Sequence, residues 1–337
     1  MLETISGANP ASAFVGMFQD PTNRWFAVYL CSSLIIGSCV FLFEARHDPK
    51  LKEQGLLRYL FPKHLYTHRS SIADCWFFVI NKLLFAMAFG ALIAVSASSV
   101  EVCGKLMRAI ASSPELHVPP SIAILTTTLT AVLAMDFGLW FSHWLSHKVP
   151  VLWEFHKVHH SAEVLTPLTA GRVHPLDDAL NILFSGICGG AALAICRFLF
   201  GDQAQMFGIM QLNALVLVFY VFGFHLRHSH IWLPYRGIWG KLFVSPAHHQ
   251  LHHSIAERHW DKNMGFVFAI WDWMFGTLYT VDKREEVRVG MNGREETEYH
   301  SVRAMYFLPF VKAWRLIRSN RERRISAHPT PHLPPAE

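Results

Sequence analysis

Five long apolar stretches constrain the fold of this chain more than any other feature. They are residues 25–43, 76–97, 121–141, 179–200 and 204–224. Each carries few or no charges and has the length of about 20 residues that a helix needs to cross a bilayer. Charged residues make up 16 % of the chain, against about 25 % in an ordinary soluble domain. The sequence therefore predicts an all-α fold, a polytopic membrane helical bundle in which the last two stretches form a hairpin.

Basic residues in the short loops predict the orientation of this bundle. Six lysines and arginines lie within 44–74, two in the loop after the second stretch and one ahead of the first. Cytoplasmic loops carry the excess of such residues. Five spans then place the N-terminus outside, with 142–178 and the chain after residue 225 in the cytoplasm. The arginine-rich tail is expected to sense anionic lipid, and nucleic-acid binding is the poorer interpretation.

Histidine is unusually frequent, with 21 residues against 25 acidic ones. Six histidines lie between residues 141 and 178, and eight lie between residues 224 and 260. Both groups follow a membrane stretch and fall on the same predicted side. We expect them to converge on one site in a helical cap on the cytoplasmic side.

The spacing of these histidines predicts metal ligands. His143 and His147 are four residues apart, which places them on one helical face. Two further segments repeat an i, i+3, i+4 pattern, which also shares one face: His156, His159 and His160, and then His249, His252 and His253. Eight imidazoles are too many for one tetrahedral zinc ion, so the pattern predicts a dimetal site. Imidazole suits iron, zinc, copper and nickel alike.

Asp136 is the acidic residue of the third stretch, seven residues before His143. An acid inside a membrane span is costly and usually functional. We expect its carboxylate to accept a hydrogen bond from the ring of a ligating histidine. An interhelical polar contact is the alternative. Further candidates for the same role are Glu154, Asp177, Asp178 and Asp272.

Several ordered motifs carry a family resemblance. They are DFGLWFSHWLSHKVPVLWEFHKVHHSAEVLTPLTAGRVHPLDD, HLRHSHIWLP, SPAHHQLHHS, DKNMGF and WDWMFGTLY. Together they resemble the fatty acid hydroxylase / sterol desaturase family of integral membrane non-haem di-iron enzymes. The resemblance implies a catalytic region at 136–282. Residues 1–135 would then supply N-terminal membrane helices and a cytoplasmic loop, and residues 283–337 a basic, partly disordered cytoplasmic tail.

The same resemblance implies a function. Two iron ions would be held by the eight histidines above, joined by His228 and His230, and O2 would be the co-substrate. The reaction would be hydroxylation or desaturation of a C–H bond in a sterol, fatty acyl or related lipid. Zinc is expected as an occupant in vitro. The chain shows no cytochrome b5-like or ferredoxin segment, so a separate electron donor is expected: a cytochrome b5-like protein, a ferredoxin or a reductase.

Two other functions stay open on the residues alone. A membrane metal transporter or metal-storage protein would also be rich in histidine, although a transporter places its ionisable residues near the midplane of broken helices. A zinc-dependent membrane lyase or hydrolase usually has an acid beside its ligands, as in HExxH, a motif that this sequence lacks. Spacing alone does not decide whether His174, His225 and His248 bind metal.

Overall fold

Helices make up most of the described chain, in agreement with the predicted all-α class. A computed structural model describes residues 10–209, 212–281, 283–292 and 295–327; the side chains of 10–14, 83–93, 212–213, 296 and 320–327 are outside this description. The helices are α1 (Pro10–Gln19), α2 (Ala27–Glu44), α3 (Pro49–Gln54), α4 (Leu56–Leu60), α5 (Lys63–Tyr66), α6 (Arg69–Ile110), α7 (Pro120–Lys148), α8 (Pro150–His160), α9 (Pro175–Phe200), α10 (Ala214–Val221), α11 (Ile238–Leu242), α12 (Pro246–His252), α13 (Ile270–Met274), α14 (Glu295–Glu298) and α15 (Val302–Ala327). Strands β1 (Gly208–Ile209) and β2 (Leu212–Asn213) pair antiparallel, and 3-10 helices lie at Pro167–Gly171, Gly201–Gln203, Phe224–His228 and Glu257–His259.

Three helices are long and apolar enough to cross a membrane: Ala27–Glu44, Pro120–Lys148 and Pro175–Gln203. They correspond to the first, third and fourth predicted stretches. The second stretch, 76–97, lies within α6, a helix of 42 residues. The side chains of 83–93 are outside the described residues, so an apolar span there stays a prediction. So does the disorder predicted for the end of the tail, where 328–337 are likewise outside them.

The fifth predicted span, 204–224, is wrong. Its helix α10 has 8 residues, about 12 Å at 1.5 Å per residue, whereas the hydrocarbon core is about 30 Å thick. The strands β1 and β2 precede it, and Gly223 ends it with a left-handed φ of 93°. Gly208 and Asn213 are weak helix formers, which a hydropathy window does not register. The chain still returns to the end of the bundle where α9 begins, because His228 Nε2 lies 3.2 Å from His159 Nε2, but no described helix between residues 204 and 224 is long enough to span.

The helices α6, α7 and α9 form the bundle that carries the site. Asn81 donates to Val173 O at 2.8 Å and Ser99 to Ile187 O at 3.0 Å, so α6 and α9 run parallel. The intervening α7 runs antiparallel to both. A Cβ on Gly138 would lie 2.5 Å from the carbonyl oxygen of Phe184. Only glycine therefore permits this crossing of α7 and α9.

Short elements cap the bundle where α7 ends and α9 begins. One residue separates α7 from α8, and α8 starts with proline at its first position, where the missing N–H costs nothing. Ser245 caps α12 by accepting a hydrogen bond from His248 N at 3.1 Å. The 3-10 helix Phe224–His228 packs against α12. These elements bring both histidine groups to one end of the bundle. The six cysteines are unpaired.

Candidate metal centre

Nine histidines form two adjacent clusters, in each of which the candidate ligand atoms lie within 4.8 Å of one another. The first cluster contains His143, His147, His156, His160 and His252. The second contains His159, His228, His249 and His253. The helices α8 and α12 contribute to both clusters, whereas α7 serves the first and the 3-10 helix Phe224–His228 serves the second. The rings of His160 and His253 join the clusters at a centroid distance of 4.7 Å.

In the first cluster the ring nitrogens face inward at the separation of neighbouring metal ligands. His156 Nε2 lies 3.0 Å from His143 Nε2 and 3.2 Å from His160 Nε2. Two nitrogens bound about 2.1 Å from one ion and at about a right angle would be about 3.0 Å apart. The Nε2 atoms of His147 and His252 are buried without a hydrogen-bond partner in the described part of the chain.

The second cluster repeats this geometry. His228 Nε2 lies 2.9 Å from His249 Nε2 and 3.2 Å from His159 Nε2. The Nε2 of His253 lies 3.2 Å from that of His249. Four inward nitrogens therefore surround one point, and they come from α8, from α12 with the residue that follows it, and from the 3-10 helix Phe224–His228.

Oxygen acceptors fix the tautomer of five of these rings. A carbonyl or carboxylate oxygen can only accept, so the Nδ1 that faces it carries the ring hydrogen and Nε2 keeps its lone pair. The Nδ1 contacts are His143 with Met264 O (2.7 Å), His156 with Asp177 Oδ2 (2.8 Å), His252 with Lys262 O (2.8 Å), His159 with Arg172 O (3.3 Å) and His147 with Asp261 Oδ1 (3.3 Å).

Lone pairs that face each other need a cation between them. His143 and His156 both have their hydrogen on Nδ1, so no proton bridges the 3.0 Å between their Nε2 atoms. Protonation is also opposed, because burial lowers the pKa of His159 and of His252 to about 3 and that of His253 well below its usual value. Neutral imidazole is the form that ligates metal. The donor set therefore fits two metal ions.

A loop at 261–268 supplies three of the acceptors, from the Asp261 side chain and the carbonyls of Lys262 and Met264. Asp261 and Asn263 each have a φ of 56°, in the left-handed region that Asn and Asp tolerate better than most residues. Asn263 locks the loop by donating to His248 O at 3.1 Å and to Tyr279 O at 3.0 Å. The loop thus acts as a rigid outer support for the first cluster.

The structure corrects the role predicted for Asp136. Its carboxylate accepts hydrogen bonds from Val267 N at 2.7 Å, Phe268 N at 3.1 Å and Trp271 Nε1 at 3.0 Å, and not from a histidine ring of the described chain. Seven residues do place Asp136 two turns from His143, but the loop fills the space between them. Asp136 therefore anchors the loop, and the loop orients the histidine.

Two other carboxylates among the sequence candidates, Asp177 and Asp272, hold parts of the first cluster and its supporting loop in place. Asp177, in the first turn of α9, accepts from His156 Nδ1 and is the group that performs the role expected of Asp136. Asp272 accepts from Met264 N at 2.9 Å and Gly265 N at 2.8 Å, so it holds the loop beside Asp136.

Arg172 is a functional candidate that the sequence analysis missed. Its carbonyl faces His159, and its guanidinium donates to Asp74 Oδ1 at 2.9 Å, Val158 O at 2.9 Å and Tyr299 O at 3.3 Å. The Arg172 side chain is 2 % exposed and that of Asp74 0 %, so their ion pair is fully buried. Breaking such a pair is strongly destabilising. The available signal was the motif AGRVHPLDD, which carried the resemblance without an assigned role.

The structure does not bring His230 into either cluster. His230 Nε2 lies 2.6 Å from Tyr59 O, and the ring packs edge-on against that of Tyr59. The three undecided histidines also lie outside the clusters. His174 caps α9 by accepting from Leu176 N, His225 Nε2 donates to Arg24 O at 2.8 Å, and His248 caps α12.

Apolar helices that end at two buried histidine clusters define an integral membrane protein with a candidate metal centre. Comparison with known protein families gives one match: residues 128–277 match the family described as fatty acid hydroxylase. This segment is a little under half of the chain, and over it the resemblance drawn from the motifs is confirmed. All nine clustered histidines lie within the matched segment.

Several characterised proteins are similar to the same region. Ornithine lipid hydroxylase OlsE of Rhizobium tropici is 26 % identical over 162 residues, 47 % of this chain and 44 % of that protein. Alkylglycerol monooxygenase of Homo sapiens is 31 % identical over 45 % of this chain and 30 % of its own length. Delta(7)-sterol 5(6)-desaturase erg3C of Aspergillus fumigatus is 31 % identical over 42 % of this chain and 45 % of its own. The match spans less than half of each relative, and no solved structure matches the chain.

Proposed function

We propose that this protein is a membrane oxidoreductase that uses O2 and two iron ions to hydroxylate or desaturate a C–H bond of a lipid. The observation that carries the proposal is the pair of buried, all-histidine clusters in a segment of the fatty acid hydroxylase family. The similar proteins named above act on an ornithine lipid, an alkylglycerol and a sterol. A sterol, a fatty acyl chain or a related lipid is therefore the proposed substrate class.

In this proposal each cluster holds one ion. The first would be bound by His143, His147, His156, His160 and His252, and the second by His159, His228, His249 and His253. Iron bound there would supply the redox chemistry that activates O2. Zinc would occupy the same nitrogens in vitro, because imidazole does not discriminate between the two metals.

The chain's own residues position and protect the reacting atoms. Asp177, Arg172 and the loop at 261–268 hold the imidazole rings in one tautomer, so the lone pairs are aimed before metal arrives. Burial of the clusters excludes bulk water. Because the centre lies where α7 ends and α9 begins, an apolar chain can reach it from the bilayer without crossing water.

Electrons would come from a separate donor, a cytochrome b5-like protein, a ferredoxin or a reductase. We propose that the centre and the C-terminal tail face the cytoplasm and the N-terminus faces outward, as the excess of Lys and Arg within 44–74 favours. Labelling of single cysteines placed at Lys148, whose side chain is exposed, at Ala256 and at Ser113 tests this. The first two should report one side and the third the other.

Metal analysis combined with lipid analysis tests the function. We expect about two iron ions per purified chain, and a lipid product that forms under air with an electron donor and is absent under argon. Cells with and without the protein supply the candidate lipids. Metal uptake into proteoliposomes without any air-dependent lipid product would overturn the proposal in favour of transport.

A further inference from the structure

The last helix, α15, divides its surface into three arcs. At about 100° per residue, one arc faces the protein: Met305 is 0 % and Ala313 5 % exposed. Tyr306 stacks on Phe77 of α6 at 4.6 Å between ring centroids, and Phe310, at the boundary with the next arc, contacts Phe155 of α8 at 5.1 Å. The helix therefore rests on the element that carries three of the clustered histidines.

The second arc of α15 is apolar and exposed. It contains Phe307 (64 % exposed), Phe310 (49 %), Val311 (42 %), Trp314 (58 %) and Ile317 (55 %). The last four lie three, four, seven and ten positions after Phe307, which is the spacing of one helical face. A contiguous exposed apolar face marks an interaction site.

The third arc is polar and basic. Lys312 pairs with Glu295 at 3.1 Å and with Glu298. Arg315 lies farther round the same side, and Arg318 at the border places its guanidinium 5.5 Å from the ring centre of Trp314. Arginines that flank an arc of Trp, Phe and Ile are typical of helices that lie in a membrane interface.

Contacts with α9 place α15 at the level of the bilayer surface. His174 is the residue ahead of α9, where the apolar segment Pro175–Gln203 begins. His174 Nε2 donates to Tyr306 O at 3.2 Å, and its ring lies 5.5 Å from that of Phe310. The exposed arc of α15 therefore starts at the depth where a membrane span starts.

We propose that α15 lies in the plane of the membrane, with its exposed arc among the acyl chains and its arginines among anionic headgroups of the leaflet at the metal-centre end. The three arcs then contact protein, lipid and water in turn. Basic side chains match a negatively charged surface. The proposal assigns a lipid surface to a helix predicted from the sequence as part of a tail, and it does not depend on the reaction proposed above.

Photochemical labelling of the full chain tests the proposal. The protein is placed in nanodiscs of equal parts phosphatidylcholine and phosphatidylglycerol, with a phosphatidylglycerol analogue that carries a diazirine high in its acyl chain. Mass spectrometry should find lipid adducts on Phe307, Trp314 and Ile317 and none on Lys312 or Ser319. Ile35 and Phe43, exposed on α2 at 64 % and 65 %, report that labelling works.

A charge variant tests the preference for anionic lipid. Replacing Arg315 and Arg318 with Gln should lower the ratio of phosphatidylglycerol to phosphatidylcholine adducts on α15 by about fivefold for each arginine removed. Arg197→Gln, at the opposite end of α9, should leave that ratio unchanged. Labelled α2 with unlabelled α15 would overturn the proposal. So would an α15 shielded by a second copy, seen as a cross-linked dimer through this helix.

Discussion

The imidazole of His156 and the carboxylate of Asp177 meet at 2.8 Å between Nδ1 and Oδ2, although the two residues are 21 positions apart. The contact joins the end of α8 to the first turn of α9. Ser146 of α7 also donates to this carboxylate, at 3.3 Å. One buried acid thus connects three helices and fixes the ring that lies at the middle of the first cluster.

Asp177→Asn should weaken metal binding at the first cluster. The amide keeps the size of the side chain but loses the charge that holds the hydrogen on His156 Nδ1, and loss of such a partner typically costs about 10-fold to 100-fold in metal affinity or activity. Competition with a chromogenic chelator measures the affinity. The adjacent Asp178→Asn, which removes a carboxylate without a histidine contact in the described chain, is the control and should keep wild-type affinity.

His228→Ala and His230→Ala should behave differently although they are two residues apart. His228 lies in the second cluster, so its removal should lower the iron content from about two ions per chain toward one. His230 bonds to Tyr59 O instead, so its removal should leave the content unchanged. Inductively coupled plasma emission spectroscopy measures the iron content of both purified variants. An equal loss in both would contradict the proposed ligand set.

Asp136→Asn should act on the metal centre through the loop at 261–268. One face of an amide donates, so at least one of the three donors that now reach the carboxylate loses its acceptor, at a cost of about 1–3 kcal/mol. We expect faster amide hydrogen exchange at 264–268 together with lower iron content. The exposed Asp202→Asn is the control. Loss of iron without faster amide exchange at 264–268 would show that Asp136 does not act on the metal centre through the loop.

Gly138→Ala should destabilise the bundle. Its Cβ would sit 2.5 Å from Phe184 O, and overpacking of a close contact typically costs about 1–3 kcal/mol. Thermal unfolding in detergent should show a lower midpoint. Gly16→Ala is the matched control, because a Cβ there meets nothing within 4 Å. Equal midpoints for the two variants would mean that α7 and α9 do not cross so closely.

Acid should destabilise the protein partly through His225. Burial lowers the pKa of His225 to about 4 in the folded state, against about 6.5 in an unfolded chain. Between these two pKa values the imidazole is protonated in the unfolded state and neutral in the folded state. The contribution of His225 to the free energy of unfolding is therefore complete above about pH 6.5 and is lost as the pH falls toward 4, by about 3 kcal/mol in total. His225→Asn should flatten the dependence of the unfolding midpoint on pH over this window. The exposed His64→Asn should not.

Local patterns were sufficient to predict which elements carry most of the clustered histidines. Helical spacing placed His156, His159 and His160 on one element, and the structure keeps that element as α8. The predicted all-α class and three of the predicted spans follow from hydropathy in the same way. These properties depend on neighbours within a few residues, which a sequence displays directly.

What local patterns missed depends on distant contacts. Asp136 was expected to contact a ring two turns away, but its partners lie more than 130 positions later, two in the loop before α13 and one within α13. His230 follows His228 closely, yet the chain becomes extended at Ser229 and turns His230 toward Tyr59. Short strands stand in place of a fifth span because Gly208 and Asn213 are weak helix formers. A hydropathy average over an apolar window does not register their effect on the backbone.

The contact between Arg172 and Tyr299 has a consequence for the order in which the protein matures. During synthesis, every clustered histidine is translated before Tyr299 and α15. Until then the guanidinium of Arg172 lacks one of its acceptors, and α8 lacks the helix that covers it. A nascent chain arrested ahead of residue 299 would hold all nine imidazoles but would lack one of the hydrogen bonds that fix Arg172, whose carbonyl faces His159. The packing around both clusters is therefore complete only after residue 299 and α15 have been synthesised.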